Sequence, residues 1–179
     1  MYPVRTLVTG TNAITVKRIN GDLRRFKEED PKYFDIYPNP DNILEIYFLL
    51  YGRENTDYEG GKYVGKIIHS PEYPRKAPDY ILFTPNGRFE INRKICLTNS
   101  AFHQDYWAPA AWNLVTLLEG LSSIWHSDAK EDKVGIGHIL ESPKVIIKDY
   151  AKKSHDFNQA NLSEFYSKFK KVNEGFEIK

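Results

Sequence analysis

A single cysteine, Cys96, stands among 179 residues, which excludes an intramolecular disulfide. That usage fits a reducing compartment. The N-terminus lacks the apolar stretch of a secretory signal. Long hydrophobic runs are missing as well. The longest, 43–51, is interrupted by Glu45 and falls far short of the roughly 20 residues a membrane helix needs. Excess charge of either sign is absent: 25 Lys and Arg face 24 Asp and Glu, so there is no basic field for nucleic acid and no acidic tail. No glycine-rich phosphate loop is visible, and five scattered histidines with one cysteine show no metal-ligand spacing. Neither a metal nor a cofactor is therefore expected. Repeats and low-complexity segments are also lacking.

What is present suffices for a packed core, with 41% hydrophobic and 14% aromatic residues in a length that suits one domain. Residues 1–12 read as a polar arm, with Thr11 or Asn12 able to cap a helix. From Ala13, Ile14, Ile19, Leu23 and Phe26 recur at near-helical spacing, and Pro31 ends that helix. Tyr37-Pro38-Asn39-Pro40 has loop chemistry. Strands are expected at 43–51, 62–69 and 80–84, with a turn at Gly60-Gly61; successive strands without intervening helices make an antiparallel meander. The clearest helix spans 110–125, where Leu114, Leu117, Leu118, Leu121 and Trp125 repeat at i, i+3, i+4 and i+7 and Pro109 suits the first position. Two C-terminal helices follow, near 144–158 and 162–172. The second carries Leu162, Phe165, Tyr166, Phe169 and Val172 on one face, to dock on the domain or to meet a membrane surface or partner helix.

Cys96 admits two readings. A free cysteine is commonly a small buried hydrophobe, and composition alone favours that. The order of residues around it points elsewhere. Thr84-Pro85-Asn86-Gly87-Arg88-Phe89, then Ile95-Cys96-Leu97, then Trp107-Ala108-Pro109-Ala110-Ala111-Trp112 resembles the ubiquitin-conjugating (E2) enzymes, and among them the J group associated with the endoplasmic reticulum. Most E2 enzymes carry His-Pro-Asn ahead of the active cysteine. The J group replaces that His and has Asn-Gly-Arg-Phe, as here. The resemblance runs from about Val16 to about Val172.

It implies an α+β fold: a four-stranded antiparallel meander, its fourth short strand near 87–91, flanked by an N-terminal helix, a central helix and C-terminal helices. The catalytic core is expected over 13–160, with 161–179 as an amphipathic helix and tail. It implies that Cys96 accepts ubiquitin, or a ubiquitin-like modifier, from an activating enzyme as a thioester. The modifier then passes to a protein substrate, alone or with a RING-type ligase. A thiol suits a group that must attack and then leave. Asn86 matches the family's Asn, with a proposed oxyanion role and a role in holding the loop; on local chemistry, Asn-Gly is also simply a turn.

Thr98, Asn99 and Ser100 replace the acid that usually follows Cys-Leu, and with His103, Asp128 and His138 they are candidates for the gate where the acceptor enters. A less acidic gate suggests Ser or Thr acceptors beside Lys. His103 lies seven residues after Cys96, but no third member supports a hydrolase. Arg75, Trp107 and Pro109 fall on the ligase-binding loops, with Arg75 where an apolar residue is usual; Lys17, Arg18, Arg24 and Arg25 match the face met by the activating enzyme.

ATP is consumed by that enzyme and not by this chain. The J group serves degradation linked to the endoplasmic reticulum, and its members usually end in a membrane anchor. The expectation here is a cytoplasmic protein without a span, either a soluble relative or one held at the reticulum by a partner or by an anchor outside this sequence. The competing class is an E2-like adaptor that binds ubiquitin or a ligase with weak or no catalysis. The presence of Cys96 argues against it, because such variants typically lack the thiol.

Overall fold

In a computed structural model, which describes residues 9–95, 97, 100–126 and 139–174 (backbone only at 102 and 103), ten elements follow in order. Helix α1 (Ala13–Glu29) precedes strands β1 (Phe34–Pro38), β2 (Glu45–Tyr51), β3 (Lys62–Ile68) and β4 (Asp79–Leu82). A 3₁₀ segment (Ala101–Tyr106) leads to α2 (Leu114–His126), α3 (Lys144–Asn161), α4 (Ser163–Tyr166) and α5 (Lys170–Asn173). The four strands form an antiparallel meander in the order β1-β2-β3-β4.

Helix α1 starts where the Asn12 side chain accepts a hydrogen bond from the Thr15 amide at 2.9 Å. It ends at Asp30, whose left-handed backbone (φ 39°) returns its amide to the Phe26 carbonyl. Ile19, Leu23 and Phe26 are its buried face. They meet the α2 stripe, in which Leu114, Leu117, Leu118, Leu121 and Trp125 are all fully buried. The inner face of the sheet completes this core. Phe34 and Ile36, Ile46, Phe48 and Leu50, Tyr63 and Ile67, and Tyr80 and Leu82 alternate along their strands and lie opposite one another in register. Gly65 belongs to that face because a Cβ there would lie 2.5 Å from the Phe48 ring and 2.6 Å from the Ile81 carbonyl.

Three local expectations ahead of the C-terminal helices change. The sequence 34–38 forms β1 although Pro38 follows Tyr37 in a loop-like string. As an edge strand, β1 tolerates a residue with no N–H to donate. Helix α2 begins at Leu114 and not beside Pro109, because Asn113 makes the better cap: its side chain accepts from Val115 N and Thr116 N (2.9 and 3.2 Å) while Thr116 Oγ1 accepts from Asn113 N (2.9 Å). Residues 87–91 form no strand. Phe89 makes only an isolated bridge to Ile139, since the Asn86 side chain has already taken its amide.

The C-terminal residues dock on the outer face of the sheet. The expected single helix over 162–172 is broken into α4 and α5 by the extended backbone of Phe169. Tyr166 and Phe169 are buried against Leu49, Tyr51 and Val64, and Phe165 stacks on Tyr47 at 4.5 Å between centroids. The Lys171 ammonium donates to the carbonyls of Pro31 and Phe34 (2.6 and 2.7 Å), and the Lys171 amide donates to Asp35 at 2.8 Å. The sheet is thus covered on both faces, which explains the nearly unbroken apolar run in β2. Among the described residues, no helix is long and apolar enough to cross a membrane.

Burial raises the Asp35 carboxyl above its ordinary 3.8, against the opposing amides of Lys171 and Ile36. A carboxyl raised in the folded state favours folding more as it takes up its proton. As pH falls through that raised value towards 3.8, unfolding free energies should therefore move in favour of the wild type relative to Asp35→Asn. Denaturant titrations of both proteins across that window check the sign; a difference moving towards the variant would contradict it.

Candidate functional site

The loop after β4 is built by one side chain. Asn86 is 1% exposed. Its carbonyl oxygen accepts from Arg88 N at 2.8 Å and Phe89 N at 2.7 Å. Its amide donates to the carbonyls of Thr84 at 3.0 Å and Phe89 at 3.2 Å. Two acceptor sites and both amide protons are thereby used within the loop. Gly87 sits at φ +78°, and a Cβ there would also meet Ile147 at 2.9 Å.

The loop is fastened on two further sides. The Arg88 guanidinium, buried, donates to the Ile124 carbonyl at the end of α2 (2.9 Å), and Leu140 N donates to the Arg88 carbonyl (2.7 Å). Thr84 Oγ1 accepts from Val64 N and donates to Asn158 of α3 at 2.6 Å.

The segment bearing the cysteine is anchored to the same strand. Asn92 N donates to Leu82 O (2.7 Å) and Ile95 N to Tyr80 O (2.9 Å), both on β4. Ile95 and Leu97 are fully buried. Leu97 is also held through its amide and carbonyl by the Ser100 hydroxyl, at 3.0 and 2.7 Å. Ser100 is itself fully buried, so that gate candidate makes a turn beneath the surface. Cys96, Thr98, Asn99, Asp128 and His138 lie outside the described residues, as does the side chain of His103 within the 3₁₀ segment.

Beside the Asn86 loop opens a cleft of about 530 Å³, lined by Asp57, Gly87, Arg88, His126, Ser142 and Lys144 among others. Burial lowers the His126 pKa, and its Nδ1 lies 2.7 Å from the Ser122 carbonyl. Arg88 was visible in sequence only as part of the Asn-Gly-Arg-Phe motif, and His126 gave no signal, because the cleft joins residues distant in the chain. Among the described residues, no group of three His, Cys, Asp or Glu side chains lies close enough together to hold a metal.

The remaining candidates fall into two groups. Lys17, Arg24 and Arg25 are exposed along α1, with Arg25 paired to Glu29. Arg75 is exposed and paired with Glu72, which also holds Lys76 at 2.5 Å. Those two cations, Lys76 first, hold the Glu72 carboxyl below its usual value. Pro109 is partly exposed. Trp107 and Arg18 differ. Trp107 is buried and donates its indole N–H to the Pro74 carbonyl at 2.6 Å. Arg18 turns its guanidinium into the fold, to Asp22 at 3.0 Å and to the carbonyls of Pro109 (3.1 Å) and Trp112.

Comparison with known proteins adds to this geometry. Residues 18–159 match the family model described as ubiquitin-conjugating enzyme. The chain is 35% identical over 156 residues to a Candida glabrata protein named ubiquitin-conjugating enzyme E2 6, covering 87% of this chain and 61% of that protein. It is 44% identical over 107 residues to ubiquitin-conjugating enzyme E2 J2 of Bos taurus, covering 60% and 41%. With ubiquitin-conjugating enzyme E2 34 of Arabidopsis thaliana it shares 42% over 108 residues, covering 60% and 45%. The chain thus spans between 41% and 61% of the length of these curated relatives.

Proposed function

The chain belongs to the ubiquitin-conjugating enzyme family, and from that premise we propose that it carries ubiquitin as a thioester on Cys96 and passes it to a protein substrate. The observation that supports this reading best is the common anchorage of two segments. The loop built by Asn86 follows β4, and the residues flanking Cys96 are hydrogen-bonded to β4 or locked by Ser100.

In the charging step the Cys96 thiolate attacks the carbonyl of the ubiquitin thioester on the activating enzyme. A new C–S bond forms and that enzyme's thiolate leaves. In transfer, a neutral acceptor nitrogen attacks the same carbonyl, loses a proton, and the Cys96 thiolate departs. Asn86 serves this chemistry by holding the loop, since both of its amide protons are already donated to backbone carbonyls. Lys17, Arg24 and Arg25 face the activating enzyme. An exposed groove lined by Arg75 and Pro109 among others takes a RING-type ligase.

The position after Leu97 is Thr98 and not an acid, so serine and threonine hydroxyls are accepted as well as lysine. Mixing the protein with an activating enzyme, ubiquitin and ATP should give an adduct that a reductant cleaves. Chasing that adduct with free lysine, serine or threonine should discharge it to all three. Discharge by lysine alone would remove hydroxyl transfer from the account, and absence of any adduct would favour an adaptor.

A further inference from the structure

Three separate segments meet behind the groove assigned above to the ligase, and a polar node, buried at Asp22 and Tyr73 and partly exposed at Arg18, joins them. The groove, about 330 Å³, is lined by Asn12, Ile14, Glu72, Tyr73, Arg75 and Pro109 among others. Ile14 is 70% exposed, an apolar wall that no other described residue covers. Its walls come from α1, the turn at 71–75 and the turn at 109–111. Nothing in the sequence links these three, since none is adjacent to another.

Behind the walls, Arg18 of α1 donates to the carbonyls of Pro109 and Trp112 and pairs with Asp22 at 3.0 Å. The other Asp22 oxygen accepts from the Tyr73 hydroxyl at 2.6 Å, and the Arg18 guanidinium lies 5.6 Å from the Tyr73 ring centroid. The Thr15 hydroxyl lies 2.7 and 2.6 Å from the carbonyls of Pro71 and Tyr73. Trp107 and Gln104 complete the seam between the two turns: the indole donates to Pro74 O, and the Gln104 side chain accepts from Ala77 N and donates to Arg75 O, at 3.0 and 3.1 Å.

We infer that Arg18, Asp22 and Tyr73 are positioning residues for ligase docking, which set the spacing of the three walls before the partner arrives. Arg18 therefore acts through Pro109 and Tyr73. The planar guanidinium is suited to this, because its fixed fork satisfies two carbonyls and one carboxylate at once. A partner pays less to bind a preset groove than one it must assemble. This inference rests on the ligase reading of the groove.

The test uses isotope-labelled full chain and a RING domain chosen from a panel because it binds the wild type. The variants are Tyr73→Phe, which removes one hydroxyl, Asp22→Asn, which keeps the shape and removes the charge, and Arg18→Ala. Should Arg18→Ala fail to fold, the two milder changes carry the test. If the docking-competent arrangement falls to roughly 10–30% of molecules, the apparent Kd rises about three- to tenfold in the same proportion.

The expected result is that weakening, with amide resonances of Ile14, Arg75 and Ala110 shifted or broadened in the free variants while those of β2 and β3 stay in place. A merely structural role would disturb the sheet resonances or lower the folded fraction without changing Kd among folded molecules. Binding in the groove at unchanged Kd would overturn the positioning role alone. Failure of every RING domain to bind, or binding elsewhere, would overturn the ligase reading and this inference with it.

Discussion

Asn86→Ala is expected to cost the fold several kcal/mol and to cripple transfer together. Four backbone groups lose their partner: the amides of Arg88 and Phe89 and the carbonyls of Thr84 and Phe89. The site is 1% exposed, so water does not readily replace the lost bonds. A buried backbone group left unpaired costs about 1–3 kcal/mol, and partial relaxation of the loop brings the total to roughly 3–5 kcal/mol. Transfer should fall by about 10², the scale expected when reacting groups are misplaced by about 1 Å.

Asn86→Asp separates the two halves of the side chain. It keeps an acceptor for both amides but places a carboxylate against two carbonyls. It should fold better than Asn86→Ala and still transfer poorly. Denaturant unfolding and single-turnover discharge of a preformed thioester check both claims. An alanine variant with wild-type stability would contradict the reading of Asn86 as the builder of its loop.

Phe169→Ala is the second large effect. Phe169 is fully buried and joins Tyr166 over Leu49, Tyr51 and Val64. Truncating a buried Phe costs about 3–5 kcal/mol, a large share of the roughly 5–15 kcal/mol that holds a domain together. The loss should appear as a lowered denaturant midpoint for the whole chain, because opening this cover leaves the outer face of β2 in water. Lys171→Met should act in the same direction, since it gives up the two carbonyl contacts to Pro31 and Phe34. An unchanged midpoint for Phe169→Ala would mean that the C-terminal segment contributes nothing to the stability of the sheet.

Much of this arrangement was legible from periodicity. The α2 stripe and the α1 face carry patterns that packing preserves, so Leu114 to Trp125 and Ile19 to Phe26 are buried as expected. The meander followed from strands succeeding one another without helices between them.

What the sequence concealed depends on tertiary partners. Strand β1 hides behind Pro38, harmless only because the strand is at the edge. The start of α2 depends on competition between Pro109 and Asn113, which the reciprocal cap decides. Ser100, a gate candidate in sequence, is a buried turn-former in space. Arg18 looks like part of a solvated basic face, yet it finds Asp22 one turn on and two carbonyls more than 90 residues away. Asn86 was recognisable by resemblance, but its full set of four bonds was visible only once Thr84, Arg88 and Phe89 were placed around it.

The most direct test of the central claim is the chemistry of the adduct formed by Cys96→Ser. With activating enzyme, ubiquitin and ATP, the wild type should form one adduct, lost on adding a reductant. The single cysteine leaves no other thiol to carry it. The serine variant should either form an adduct that survives the reductant, with intact mass higher by one ubiquitin less water and the modified peptide containing position 96, or form none. A reductant-sensitive adduct on the serine variant, or a wild-type chain that never charges while a control conjugating enzyme does, would contradict the account.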